Sequence, residues 1–257
     1  MSVHYETMDG LARITIDRPD RLNAIDAAAE QELEAIWTDI EGRNDVSCAV
    51  LTGAGEKAFS VGADMKNVDK SGLEYWVDAR PNGFGGLAYR RSLDVPVIAR
   101  VNGYALGGGF EMVLGCDIVV AAETAQFGLP EGRVGRMPLD GGMVVLQRKM
   151  PHNLAMGMLM TGRRVNAADL LRWGIVNEVS SFDALDAAVD RWVADIMACA
   201  PLSLKAIKQT VNRTAHLHPD EAQALKLPAV IKALQSEDAF EGVAAFQEKR
   251  APVWRGI

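Results

Sequence analysis

One stretch, Pro96 to Gly142, constrains the fold of this chain more than any other part of the sequence. Val97 to Val101 and Asp117 to Ala121 are apolar runs typical of strands that are covered on both faces. Three consecutive glycines lie between these runs, Glu111 comes just after the glycines, and Glu131 follows a Leu-Pro pair beyond the second run. Glycines let a backbone approach a ligand and carboxylates transfer protons, so this stretch predicts both a buried sheet and a reaction site.

Strand and helix patterns alternate in the first half of the chain. Asp9-Gly10 predicts a hairpin between two short strands, and Cys48 to Thr52 is a continuous apolar run that predicts a further buried strand. Helices are predicted from about Asp26 to Glu41 and over Leu87 to Leu93, with a loop at 67–86. This alternation is typical of an α/β fold with right-handed crossovers and an at least partly parallel sheet.

Helical patterns dominate the chain from about Val165 onward. They cover residues 184–199, 202–212, 220–234 and 238–250. Asn166 and Ser236 stand where helix N-caps are expected. We therefore predict two domains: residues 1–164 form a core that carries the active site, and residues 165–257 form a helical C-terminal region.

The charge balance and the apolar runs limit the partners of the protein. A net charge of -7 and a sequence pI of about 5.2 disfavour nucleic acid or an anionic membrane as the main partner. The sequence has no apolar run of the ~20 residues that a membrane span needs and no signal-peptide pattern at its start. Three widely spaced cysteines with apolar neighbours favour buried, reduced thiols. We therefore expect a cytoplasmic protein without a membrane or nucleic-acid partner.

Specific residues exclude several well-known motifs. Gly107 to Gly109 lacks the third glycine of a dinucleotide fingerprint, and Gly53 to Lys57 lacks the Gly-Lys-Ser/Thr of a phosphate-binding loop. Ser60 resembles the serine of a nucleophile elbow, but Ala58 stands where that motif requires glycine. The four histidines show no metal-ligand spacing, so we expect no metal site.

Two glycine turns remain, Gly62 to Asp64 and Gly107 to Gly109, each at a strand end and each opening a helix. The first N–H groups of a helix are unpaired, and two of them aimed at one carbonyl oxygen form an oxyanion hole. Alternatively, the glycines only let a helix pack close to the sheet, which explains one or two of three in a row. Glu111 and Glu131 are likewise either an acid/base pair or, respectively, a helix-dipole residue and a turn cap.

Four segments of the chain closely resemble the crotonase (enoyl-CoA hydratase/isomerase) superfamily. They are AFSVGADMK, PVIARVNGYALGGGFEMVLGCDIVVAAETAQFGLPE, a P-x-x-GG run and the tail SEDAFEGVAAFQEKRAPVWRG. The resemblance implies an α/β fold of the crotonase type, a spiral of β-β-α units with a C-terminal helical trimerisation region. It also implies an acyl-CoA thioester substrate, a homotrimer or dimer of trimers, and no cofactor beyond the coenzyme A within the substrate.

The resemblance also assigns roles to individual residues. It implies that the backbone N–H groups of Ala63 and Gly108 form the oxyanion hole for the thioester carbonyl. It implies that Glu131 exchanges the α-proton and that Glu111 orients and activates water. The residues implied in binding coenzyme A or the acyl group are Arg21, Ala63, Asp64, Met65, Lys66, Gly108, Phe246 and Lys249. The last two resemble tail positions that reach coenzyme A, sometimes from a neighbouring subunit.

A few positions depart from the hydratase pattern of this superfamily. Leu139 replaces a glycine whose backbone helps to position water. Asp20 stands where a basic residue often contacts the phosphates of coenzyme A, and the adjacent Arg21 is expected to substitute for it. Arg133 and Arg136 bring positive charge near the second glutamate in the sequence.

The glutamate pair favours an enoyl-CoA hydratase, which adds water reversibly across the 2,3-double bond of a 2-enoyl-CoA. A carnitinyl-CoA dehydratase is the first alternative, because MTGRRVNAADLLRWGIVNEV and the tail look most like that branch. The bulky aromatic residue associated with that branch is absent at Ala63, however. An enoyl-CoA isomerase is the second alternative, and a non-catalytic crotonase-like binding protein is the alternative from a different class.

Overall fold

Two β-sheets form the centre of the protein, for which the computed structural model describes residues 2–65, 71–78 and 80–257. The larger sheet contains β1 (Val3–Met8), β2 (Leu11–Ile16), β3 (Cys48–Gly53), β5 (Val97–Val101), β7 (Ile118–Ala122) and β10 (Glu178–Ser180), in that order. The smaller sheet contains β4 (Ala58–Ser60), β6 (Tyr104–Leu106), β8 (Gln126–Gly128) and β9 (Val165–Asn166).

Helices surround these sheets, and most of them lie in the second half of the chain. In the first half they are α1 (Ala27–Gly42), α2 (Gly72–Val77) and α3 (Gly108–Gly115). In the second half they are α4 (Gly142–Lys149), α5 (His152–Thr161), α6 (Ala167–Arg172), α7 (Leu185–Met197), α8 (Pro201–Thr214), α9 (Pro219–Ala224), α10 (Pro228–Leu234) and α11 (Glu237–Glu248).

The chain repeats one unit as it passes between the two sheets. Strands β3, β5 and β7 of the larger sheet are each followed by a short strand of the smaller sheet, namely β4, β6 and β8. Neighbouring strands of these two sets pair in parallel. The α/β spiral of strand-strand-helix units predicted from the sequence is therefore the observed architecture.

Side chains cover both faces of the larger sheet, as its continuous apolar strands predict. On one face, α1 contributes Leu33, Trp37 and Ile40 to a core that includes residues of β3, β5 and α3. On the other face, α7 packs Leu185 and Val189 against alternate residues of the same strands. Burial on both faces holds β3 and β5 in place. The short strands β4 and β6, whose ends carry the candidate site, follow directly after them.

The predicted helix over Leu87 to Leu93 is wrong. The structure has a 3-10 turn at Phe84–Gly86 instead, in which Gly85 and Gly86 have φ angles of 61° and 65°. Such left-handed residues do not continue a helix. Arg90 then turns inward, with 2% of its side chain exposed, and pairs with carboxylates of α1. Irregular backbone and a buried charge therefore replace the expected helix.

Other boundaries also differ from the sequence patterns. The predicted helix over 220–234 is two helices, α9 and α10, because Pro228 has no N–H to donate and begins the second one. Residues 67–70 and 79 of the predicted loop at 67–86 lie outside the described residues. The described part contains α2, whose Ser71 and Glu74 form a capping box. Asn166 and Ser236 do cap α6 and α11, as their positions predict.

Strands from beyond residue 164 complete both sheets. β9 pairs antiparallel with β8, and β10 pairs in parallel with β7. Helices α7 to α11 follow β10. The division of the chain into residues 1–164 and 165–257, and an oligomerisation role for the second part, stay predictions.

Candidate active site

Two backbone turns meet at the ends of β4 and β6. Gly62 has a φ angle of +85°, and a Cβ atom on it would lie only 2.8 Å from the backbone nitrogen of Gly108. The carbonyl of Gly62 and the N–H of Asp64 both bond to Ile25, which fixes the intervening Ala63. Neither the N–H of Ala63 nor that of Gly108 donates to any residue that the structure describes. Two unpaired donors therefore lie side by side, as an oxyanion hole requires.

Close packing accounts for all three glycines of the second turn, rather than for one or two as expected. Gly107 has a φ angle of +55°, and a Cβ atom there would lie 3.0 Å from Oε1 of Glu131. A Cβ atom on Gly108 would meet the ring of Phe84 at 2.6 Å, and one on Gly109 would meet the Ser60 carbonyl oxygen at 2.1 Å. The same lack of side chains brings this turn against Glu131.

Glu111 lies in the first turn of α3 and is 3% exposed. Its Oε1 accepts hydrogen bonds from the backbone N–H groups of Asp140 at 2.9 Å and Gly142 at 2.8 Å. Burial, followed by the charge of Asp140 and then that of Glu131, raises the pKa of Glu111 to about 8, although the two N–H donors oppose this. Glu111 therefore changes its protonation near neutral pH.

Glu131 lies at the second position of the 3-10 helix Pro130–Val134. Burial and the charge of Asp140 raise the pKa of this carboxyl group. Its Oε2 is buried and has no hydrogen-bond partner among the described residues. The guanidinium of Arg133 donates to the carbonyl of Thr161 at 2.8 Å. A raised pKa and a buried carboxylate oxygen without a described partner, next to the second glycine turn, are properties of a proton donor or acceptor.

Asp140 and Tyr75 belong to the surroundings of this site but were not among the predicted residues. Asp140 touches Glu111 through its backbone and accepts a hydrogen bond from the Tyr75 hydroxyl at 2.5 Å through its carboxylate. The position of Asp140 directly before the glycine pair Gly141-Gly142 is the sequence signal that could have indicated its place in the site. No local pattern marks Tyr75, because the contact depends on how α2 folds back over the site.

The substrate-binding residues predicted at or near the first glycine turn differ in their burial and in their partners. Asp64 has 8% of its side chain exposed and forms an ion pair with Arg18 at 3.2 Å, so its carboxylate faces the protein. Met65 is exposed and Lys66 lies outside the described residues. Arg21 is exposed at the end of the 3-10 helix Pro19–Arg21.

Phe246 and Lys249 are exposed at the C-terminal end of α11. Phe246 has 83% of its surface exposed. Among the described residues of this single chain, no hydrogen bond, ion pair or ring contact joins either one to Glu111 or Glu131. Their predicted contact with coenzyme A stays a prediction.

Other candidate groups have structural partners. The hydroxyl of Ser60 accepts a hydrogen bond from the N–H of Gly62 at 3.1 Å and so supports the first turn. Cys48 and Cys116 are buried as predicted, but Cys199 is exposed near the end of α7. Within residues 2–65, 71–78 and 80–257, no group of three or more His, Cys, Asp or Glu side chains is arranged to hold a metal ion. No helix in these ranges is both long and apolar enough to span a bilayer.

Comparisons with known proteins find relatives over nearly the whole chain. The family model for enoyl-CoA hydratase/isomerase matches residues 6–256. The chain is 41% identical to the carnitinyl-CoA dehydratase of Escherichia coli K12 and 40% identical to that of Citrobacter koseri, with 99% of this chain and 98% of each relative covered.

Solved structures of enoyl-CoA hydratases have the same fold. The enzyme from Bacillus anthracis superimposes with a TM-score of 0.93 at 29% identity, and 100% of both chains is covered. The enzyme from Mycobacterium tuberculosis H37Rv superimposes with a TM-score of 0.89 at 32% identity, covering 100% of this chain and 99% of that one. With a family match over nearly its whole length, a crotonase-type fold and two glutamates with raised pKa values beside two glycine turns, the chain belongs to the enoyl-CoA hydratase/isomerase family.

Proposed function

We propose that the protein is a hydro-lyase that adds water reversibly across the 2,3-double bond of a 2-enoyl-CoA thioester. The observation that carries this proposal is the buried Glu111 and the half-buried Glu131 next to the two glycine turns. Glu131 lies close enough to Glu111 for its charge to contribute to the raised pKa of Glu111. Two carboxyl groups whose pKa values are both raised by burial and by the charge of Asp140 are suited to move two protons in one reaction.

The proposed reaction uses the two glutamates in opposite directions. Glu111 accepts a proton from water as the water oxygen bonds to the β-carbon of the enoyl group. Glu131 donates a proton to the α-carbon, and the double bond between the two carbons becomes a single bond. The N–H groups of Ala63 and Gly108 stabilise the negative charge that develops on the thioester oxygen between these steps. Dehydration follows the same path in reverse.

The second candidate function is that of a carnitinyl-CoA dehydratase. The identity of 41% over nearly the full length to a protein of that name supports it. The proposed chemistry is the same removal of water from a 3-hydroxyacyl-CoA, and only the polarity of the acyl group differs. The two candidates are therefore distinguished by substrate and not by mechanism.

We further propose that the acyl-CoA is held between the two glycine turns, by Ala63, Asp64, Met65 and Lys66 at the first turn and by Gly108 in the second. Arg21, exposed at the end of the 3-10 helix Pro19–Arg21, is proposed to contact the phosphates of coenzyme A. The exposed Phe246 and Lys249 would complete the coenzyme A site from another subunit of a homotrimer or dimer of trimers. The proposed reaction requires no cofactor besides the coenzyme A of the substrate.

A panel of acyl-CoA thioesters tests this function. The panel runs from crotonyl-CoA to carnitinyl-CoA and aryl-CoA thioesters, with the loss or gain of the conjugated thioester absorbance as the readout. We expect turnover of at least one 2-enoyl-CoA, and loss of it in both the E111Q and the E131Q variant. Conversion of a 3-enoyl-CoA without uptake of solvent oxygen would indicate an isomerase instead. Absence of turnover across the panel, with binding retained, would indicate a binding protein.

A further inference from the structure

Asp140 forms hydrogen bonds with two distant parts of the chain, the proposed catalytic residue Glu111 and helix α2. It lies in the loop between the 3-10 helix Pro130–Val134 and α4. Its backbone N–H donates to Oε1 of Glu111 at 2.9 Å. Its carboxylate Oδ2 accepts a hydrogen bond from the hydroxyl of Tyr75, on α2, at 2.5 Å. One residue therefore contacts Glu111 with its main chain and α2 with its side chain.

The hydrogen bonds continue from Tyr75 to the first helix of the protein. The Tyr75 hydroxyl accepts from the guanidinium of Arg80, which forms an ion pair with Glu30 of α1. The Arg80 guanidinium carbon also lies 4.5 Å from the centre of the Tyr75 ring. The hydroxyl that donates to Asp140 is thus held by Arg80 in two ways, through a hydrogen bond to the hydroxyl and through a contact with the Tyr75 ring.

Five titratable groups lie at or around the Asp140 side chain, counting Asp140 itself, and three of the five are carboxyl groups. Glu111 faces Asp140 from α3, Glu131 faces it from the 3-10 helix, and Tyr75 and Arg80 face it from α2 and the residues after it. Burial is the largest cause of the raised pKa of Asp140, and the Tyr75 hydrogen bond opposes it. The negative charge of Asp140 in turn raises the pKa of both Glu111 and Glu131.

We propose that Asp140 is a positioning residue for the glutamate pair: its backbone holds Oε1 of Glu111, and its carboxylate is held in place by Tyr75 and Arg80. This inference rests on the proposed function. The inference goes beyond that function because Asp140 touches no reacting atom in the proposed reaction. It nevertheless holds Glu111 in position and contributes to the charge environment of both glutamates.

The pH dependence of kcat/KM in the D140N variant tests the proposal. Asparagine keeps the backbone N–H and an oxygen that accepts from Tyr75, but it removes the charge. Because that charge raises the pKa of both glutamates, we expect both limbs of the profile to move to lower pH, by at least about half a pH unit. A merely structural loss would lower the height of the profile without moving it.

The control is the D190N variant, which makes the same substitution at an exposed aspartate paired with Arg13 on the protein surface. Its profile is expected to coincide with that of the wild type at the same ionic strength. A D140N profile that also coincides in position with the wild type would overturn the inference. A wild-type protein with no hydration activity on any thioester would instead overturn the proposed function, so the two failures are distinguishable.

The Y75F variant gives a second measurement that does not depend on folding of D140N. It removes only the hydroxyl that holds the Asp140 carboxylate. We expect kcat to fall by about tenfold, because small displacements of catalytic groups have large effects on rate, while KM changes less than about twofold. A folded Y75F protein with the kcat of the wild type would contradict the proposal.

Discussion

Asn23 and Asn102 donate their side-chain amides to the same acceptor, the carbonyl oxygen of Ala58, at 2.6 Å and 3.0 Å. The two asparagines come from different turns of the spiral, and both are fully buried. Ala58 begins β4, the strand that leads to the first glycine turn. This shared acceptor therefore fixes the start of the strand that presents the N–H of Ala63.

A double-mutant cycle at these two asparagines tests their shared acceptor. N23G keeps the left-handed backbone of Asn23, whose φ angle is 56°, and N102A removes the other donor. Each single variant leaves Ala58 with one donor, whereas the double variant leaves a buried carbonyl oxygen unpaired. We expect the double variant to lose more unfolding free energy than the sum of the single losses, by about 0.5–3 kcal/mol. Additive losses in urea denaturation would contradict this.

Substitution of Gly109 should be far more costly than substitution of a helical glycine elsewhere. In G109A the new methyl group would lie 2.1 Å from the Ser60 carbonyl oxygen, so strand β4 or helix α3 must move. We expect a loss of about 1–3 kcal/mol in unfolding free energy, together with a fall in kcat. The matched control is G157A in α5, where a Cβ atom meets nothing within 4 Å. Thermal unfolding should show this control to be stabilised, by about 0.5–1 kcal/mol.

Glu111 should make the stability of the protein fall as the pH rises toward 8. Its pKa is about 8 in the folded protein against an ordinary value of 4.5, so between these values the folded state binds a proton that the unfolded state has lost. The E111Q variant loses this dependence. Relative to the wild type, it should therefore gain a few kcal/mol of unfolding free energy between pH 5 and pH 8, since each pKa unit corresponds to about 1.4 kcal/mol.

Urea denaturation at several pH values measures this difference. E6Q, at an exposed position of β1, is the control and should follow the pH dependence of the wild type. Parallel curves for E111Q and the wild type would show that Glu111 titrates normally in the folded protein.

The three thiols should react in two classes. Cys199 is exposed, whereas Cys48 and Cys116 are buried and burial raises the pKa of each to about 12. At pH 8 a disulfide reagent such as DTNB should modify one thiol per chain quickly and the other two only after unfolding. The C199S variant should lose the fast reaction entirely. A fast reaction that persists in C199S would mean that a buried thiol is reached by local opening.

The sequence predicted the elements that carry long or periodic patterns. The continuous apolar runs of β3, β5 and β7 predicted strands covered on both faces. The apolar repeat of α1 predicts one buried face of Leu33, Ile36, Trp37 and Ile40, and all but the half-buried Ile36 are buried. The two glycine turns and the positions of both glutamates were also predictable, because each follows a recognisable strand end.

Contacts between distant segments were not predictable in this way. Strands β4, β6 and β8 have three residues each, which is too short for any period to show. The bond between Tyr75 and Asp140 depends on the path of the chain between them and leaves no local signal. Arg90 shows the same limit, because a buried arginine is recognisable only once Glu34 and Glu41 of α1 are seen beside it.

Strands β9 and β10 have a consequence for the order in which a ribosome makes the protein. When residue 164 has been added, the chain already contains both glutamates and both glycine turns. β7 and β8 are still edge strands at that point, because β10 and β9 have not yet been made. Unpaired edges are templates for association with other chains. At roughly 5–20 residues per second, synthesis through Ser180 takes about 1–3 s more. A nascent chain that stalls in this interval would expose two bare strands next to a nearly complete catalytic centre.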